Sequence, residues 1–95
     1  MVKDTIFVVC EENHGVIGIA TTPEAAAHIV IDEGWMTIED DIWSFQKQDS
    51  MFASEAMKEL GYMEDDLYSF CCGMFRGDHE EYDWNFSLSK KVFYH

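Results

Sequence analysis

Residues 5–30 read TIFVVCEENHGVIGIATTPEAAAHIV, and how this stretch divides decides the fold. Two short runs, residues 5–10 and 16–21, are almost entirely β-branched, aromatic or otherwise apolar. Such side chains sit comfortably on an extended, pleated backbone, so both runs read as strands. Five residues ending in Gly15 separate them, which is the length of a hairpin connection. Because each run is nearly continuous in apolar character, at least one face of the hairpin needs a cover of helices. That cover begins at once. The hydroxyl of Thr22 can accept from a free N–H of a first helical turn, and Pro23 fits the first helical position because it has no N–H to lose. Glu24 suits the positive end of the helix, and Gly34 suits a left-handed stop with Trp35 folding back. A helix over 23–33 is expected.

Working outward, residues 34–45, GWMTIEDDIWSF, are echoed by residues 61–70, GYMEDDLYSF, with Thr37 and Ile38 absent from the second copy. Glycine and an aromatic fit the end of one helix, and the Glu-Asp-Asp triplet fits the start of the next. On this reading Asp40 or Asp41 caps a helix formed by IWSFQKQ, whose buried side includes Ile42, Trp43 and Phe45. Asp49 or Ser50 caps MFASEAMKEL, in which Met51, Phe52, Ala56, Met57 and Leu60 form an apolar stripe ended by Gly61. Asp65 caps DLYSFCCGMF, with Leu67, Phe70, Cys71 and Met74 at helical spacing and Gly73 as a weak point. After residue 81 the period changes. Tyr82, Trp84, Phe86 and Leu88 alternate with polar residues, and Val92 and Tyr94 keep that parity past Lys90, so this segment reads as a half-buried strand, either one long strand or one kinked near Ser89. The expected fold is α+β: one domain over residues 1–95, with a small three-stranded antiparallel or mixed sheet. The N-terminal hairpin and the C-terminal strand make the sheet, and three or four short helices pack against it.

Charge bounds the function. Nineteen acids against six Lys and Arg give a net charge of −13 over 95 residues. Such a field repels nucleic-acid phosphates and anionic lipid and favours encounter with basic surfaces, so direct nucleic-acid and membrane binding are not expected. No apolar run approaches the length of a membrane span. Three cysteines, Cys10, Cys71 and Cys72, leave one over after any pairing, and with no signal-like opening they fit a reducing cytoplasm.

Ten of the nineteen acids fall in three clusters: Glu39, Asp40 and Asp41; Glu64, Asp65 and Asp66; and Asp78, Glu80, Glu81 and Asp83. Neither triplet has the alternating oxygen ligands and turn glycine of a calcium loop, so no metal site or cofactor is expected. If the clusters share a face, they present carboxylates much as a duplex presents phosphates. Trp43, close to the first cluster, is the tryptophan to expect on a surface as a partner's anchor. Two other readings stand beside this one. A metal-dependent or thiol enzyme would use the carboxylates, or Cys72 with His79, although no activating motif surrounds either cysteine. A homo-oligomeric structural or regulatory protein, such as a homodimer, would pair through its C-terminal strand.

The segment quoted first resembles the hairpin and Thr-Pro-Glu helix start of many small proteins of phages and their bacterial hosts. In size, charge and lack of catalytic motifs the chain also resembles small acidic phage inhibitors of the anti-CRISPR and anti-restriction type. That resemblance implies a non-enzymatic inhibitor that blocks the basic groove of a nucleic-acid-binding defence effector by nucleic-acid mimicry. It would act in the cytoplasm, that of the host cell if a phage encodes it. The partner-binding residues expected are the ten clustered acids and Trp43, with no catalytic residue.

Overall fold

The computed structural model describes residues 2–44 and 49–95, and it is α+β, with three helices and two three-stranded antiparallel sheets. The N-terminal hairpin forms as its sequence dictates. Strand β1 (Lys3–Glu11) pairs with β2 (Gly15–Ala20), Gly15 taking the positive φ of 73° that its turn requires. Helix α1 (Pro23–Asp32) starts as read, with Thr22 Oγ1 accepting from the N–H of Ala25 at 3.1 Å. It packs on β2 through a gap only glycine leaves open, since a Cβ on Gly18 would lie 2.9 Å from Ile29 Cδ1. The main sheet has the order β2-β1-β6, where β6 (Phe86–Tyr94) pairs antiparallel with the whole of β1.

Glycine and an aromatic do end the helices. At α1 the N–H of Gly34 bonds Ile31 O at 3.1 Å and that of Trp35 bonds Val30 O at 2.9 Å. At α2 (Ala53–Glu59) the N–H of Gly61 bonds Lys58 O at 3.2 Å and that of Tyr62 bonds Met57 O at 2.8 Å. These paired bonds satisfy carbonyls that a helix end otherwise leaves free. Helix α3 (Leu67–Arg76) closes the same way through Gly77 and Asp78, without an aromatic.

The other half of the repeat behaves differently from the expectation. Asp40 caps no helix. Its Oδ2 accepts from the N–H of Thr37 at 2.7 Å, closing a turn, and the chain then enters strand β3 (Asp41–Ser44). Here Ile42 is fully buried and Trp43 exposed, the period of a strand, and Ile42 joins the core cluster. Phe45, the third residue expected on that helix's buried side, lies outside the described residues, as do positions 46–48. Likewise Ser50 begins strand β4 (Ser50–Phe52) instead of capping a helix, and Phe52 leaves the expected apolar stripe for solvent. Asp65 does not cap α3 either. The N-cap is Asp66, and its Oδ2 accepts from Met63 N–H at 3.2 Å in the preceding turn. The two acidic triplets therefore share a turn-closing aspartate, not a following helix.

The alternating C-terminal segment is not one long strand: it divides at Trp84 and Asn85, not near Ser89, and of its expected inward residues Val92 and Tyr94 are exposed. Strand β5 (Tyr82–Asp83) pairs with β3 in the second sheet, of order β4-β3-β5, while β6 belongs to the first. A buried carboxylate holds that junction. Glu11 accepts from Asn13 N–H at 3.0 Å and Asn85 Nδ2 at 3.1 Å, and its other oxygen meets His14 Nδ1. The His14 contact first, then the Asn13 bond, holds its pKa below the usual 4.5 despite its burial. A lowered folded value means stability present above the unfolded pKa and lost as pH falls through the folded one. Glu11→Gln is therefore expected to lower the thermal midpoint at neutral pH, and the difference from wild type should close as pH falls below the usual carboxylate value and through the lower folded one. Thermal melts across that range check it.

Candidate partner-binding face

The small sheet presents one face to the core and one to solvent. Ile42 of β3 and Met51 of β4 lie opposite each other and turn inward. Residues one step away turn outward: Asp41 opposite Phe52, and Trp43 flanked by Ser50 on one side and Asp83 on the other. Trp43 is 56% exposed and Phe52 50% exposed, so two aromatics stand in solvent: Phe52 beside Asp41, and Trp43 between Asp41 and Asp83.

Backbone bonds seat α2 under the face. Ala53 N–H bonds Asp40 O at 2.7 Å, and Ser54 N–H bonds Ile38 O at 2.9 Å. Carbonyls of the first acidic turn thus serve the free N–H groups of α2, so Phe52 needs no side-chain cap and Glu39 and Asp41 stay exposed. From the other side, Tyr82 donates to Glu59 Oε2 at 2.6 Å, and burial with this bond raises the Tyr82 pKa to about 12. His79, in the third acidic stretch, hydrogen-bonds Tyr62 through Nε2 at 2.9 Å and stacks on Phe70. Gly73 explains that approach: a Cβ there would lie 2.6 Å from His79 Nε2. The glycine that looked like a weakness of α3 makes room for the ring.

The expected site residues divide by place. Asp41, Trp43 and Asp83 share the outer face of the small sheet, with Glu39 and Asp40 in the turn leading into it. Asp78, Glu80 and Glu81 lie in the connection before β5, where Asp78 is ion-paired with Arg76 at 3.3 Å. Glu64, Asp65 and Asp66 occupy the turn between α2 and α3. There Glu64 lines a groove of about 390 Å³ with Glu55, Met57, Tyr62 and Met63. Asp40 and Asp66 are committed to their turns, which leaves Glu39, Asp41, Glu64, Asp65 and Glu80 with outward carboxylates, along with Asp83, one of whose oxygens accepts from Trp84 N–H at 3.0 Å. Phe52 and Glu55 were missed. Reading 51–60 as one helix placed Phe52 inward, and only the break between β4 and α2 turns it out.

Among the described residues, no group of three or more His, Cys, Asp or Glu side chains is placed to hold a metal ion. The cysteine pair is buried in α3. Burial raises the Cys71 pKa to about 12, and burial followed by the Glu24 carboxylate raises that of Cys72. A nucleophilic thiol needs the opposite shift, and the His79 Nε2 that would assist it is bonded to Tyr62. No described helix is long and apolar enough to cross a membrane.

Fold and face together define an α+β protein that offers an aromatic, acidic sheet surface. No protein-family model, no curated protein and no solved structure matches the chain.

Proposed function

We propose that this chain is a non-enzymatic binding protein whose acidic, aromatic face engages a basic protein. One observation carries the reading: on the outer face of the small sheet Phe52, Asp41, Trp43 and Asp83 alternate aromatic and acid, with both rings held in solvent. Carboxylates beside an aromatic face suit a guanidinium, which bonds the carboxylate oxygens and lies over the ring. A surface rich in arginine, such as the nucleic-acid groove of a phage-defence effector, is the partner chemistry that fits. The net charge of −13 accelerates that encounter and disfavours acidic competitors. Occupying such a groove inhibits the effector by displacing its nucleic acid.

The test uses a variant that spares the two turn-closing aspartates: Glu39→Lys, Asp41→Lys, Asp65→Lys and Asp83→Lys together. Wild type immobilised on resin is expected to retain basic proteins from a bacterial extract at low salt and release them at high salt, while the variant retains none of them. A nucleic-acid-binding protein captured this way should lose its nucleic acid when the chain is added. Retention indifferent to charge reversal and to salt would sink the proposal.

A further inference from the structure

We propose that the outer face of the main sheet is a homodimer interface, and that its occupant is a second copy of this chain. Helix α1 covers only one side of that sheet, the side of Val9, Ala20 and Phe86, which are buried. Directly opposed residues in antiparallel strands share a face, so the register identifies the other side. It carries Ile6 and Val8 of β1, Ile19 and Val16 of β2, and Phe93 of β6, with Val2 at the end. Val16 is 63% exposed, Ile19 62%, and Val2 and Phe93 54% each. Four of the molecule's large exposed apolar side chains thus lie on one continuous surface.

Charge says what covers it. At −13, two copies repel one another over most of their surface. On this face the Lys, Arg, Asp and Glu residues are Asp4 and Lys91, one of each sign, and Asp4 Oδ2 also meets His95 Nε2 of its own chain at 2.5 Å, leaving its other oxygen for a partner. They are diagonal neighbours, because Asp4 lies opposite Phe93 and Lys91 opposite Ile6. A twofold axis in the plane between two such faces lays Asp4 of one copy over the partner's Lys91, and Lys91 over the partner's Asp4. An isologous dimer requires that self-complementarity, which neither a strongly basic nor a strongly acidic partner would use. The size also fits. Strands of up to nine residues at about 3.3 Å per residue, spaced about 4.8 Å apart, give a footprint of about 400 Å² per copy. Side-chain relief takes the two-copy total to about 1,000 Å², the threshold for a biological interface and the size of a weak, reversible one.

Light scattering or sedimentation of the full chain across protein concentration tests this. A reversible dimer is expected, and added salt should strengthen it. Screening relieves the mutual repulsion, while apolar burial remains. Ile19→Lys is expected to weaken dimerisation by about tenfold or more, although it removes net negative charge. Tyr94→Lys, on the opposite side of the ribbon, should leave the dimer constant unchanged. Asp4→Lys and Lys91→Asp should each weaken the dimer, and the double variant should restore it. If Ile19→Lys fails to fold by circular dichroism, this exposed charge exchange still reads the same face. Monomer at every concentration and salt overturns the proposal, and so does a dimer indifferent to both Ile19→Lys and the charge exchange. A dimer that salt weakens and the four-lysine variant abolishes would place the contact on the small sheet instead.

Discussion

Phe70→Ala is expected to lower the free energy of unfolding by about 3–5 kcal/mol, the range for removing a fully buried aromatic ring. Phe70 has no exposed surface and is the largest of the fully buried side chains. It projects from α3 against the edge of Tyr62, 5.8 Å away between ring centres, and under His79 at 6.2 Å. Removing it leaves a cavity and also unseats the ring pair that ties the third acidic stretch to the end of α2. Against a total of about 5–15 kcal/mol for a small domain, this takes a large share of the stability. Urea unfolding checks it. The midpoint should fall while the slope with denaturant stays constant, and a loss under about 1 kcal/mol would show that Phe70 is not central to the core.

Neighbouring residues in β3 should give opposite results. Ile42→Ala is expected to cost about 2–5 kcal/mol, because Ile42 is fully buried and fastens the second sheet to the core. Trp43→Ala should change stability by about 0.5 kcal/mol or less, since its ring stands in solvent, yet it should weaken retention of basic proteins. Denaturant unfolding and the resin assay, run on both variants, separate packing from recognition. Equal stability losses at the two positions would contradict the strand assignment, because one residue of β3 must face in and the next out.

Much of this fold was legible in the residues. The hairpin, the Thr22 cap and the Gly34 and Gly61 stops each rest on local chemistry that survives in the folded chain, whereas the inward parity of β6 holds only at Phe86 and Leu88, with Val92 and Tyr94 exposed. What failed was the inference that an aspartate after a turn must open a helix. The carboxylates of Asp40 and Asp66 bond backward into their own turns, and sequence alone does not say which way a short side chain reaches. After Asp66 the chain is helical. After Asp40 it is extended, because a strand of only four residues finds partners at positions 50–52 and 82–83. Pairing at that range leaves no local trace, and short apolar runs suit either period. The site followed suit: Asp41, Trp43 and Asp83 could be named singly, but their meeting on one face depends on the unforeseen sheet, and Phe52 was hidden by the helix read in its place.

The pairing of β1 with β6 sets a timetable for folding. Lys3 lies opposite Tyr94, so the main sheet joins nearly the two extremes of the chain. Loop closure over that span is an entropic cost met before the contacts form, and topologies built on such distant pairs fold slowly. On the ribosome β1 and β2 emerge before β6, with one long flank of β1 unsatisfied until residues 86–94 have been made. Through that interval the apolar hairpin is open to association with any extended strand nearby. Lysines at 90 and 91 arrive with the strand that ends this exposure, and the chain spends the wait strongly anionic, which keeps one nascent copy away from another.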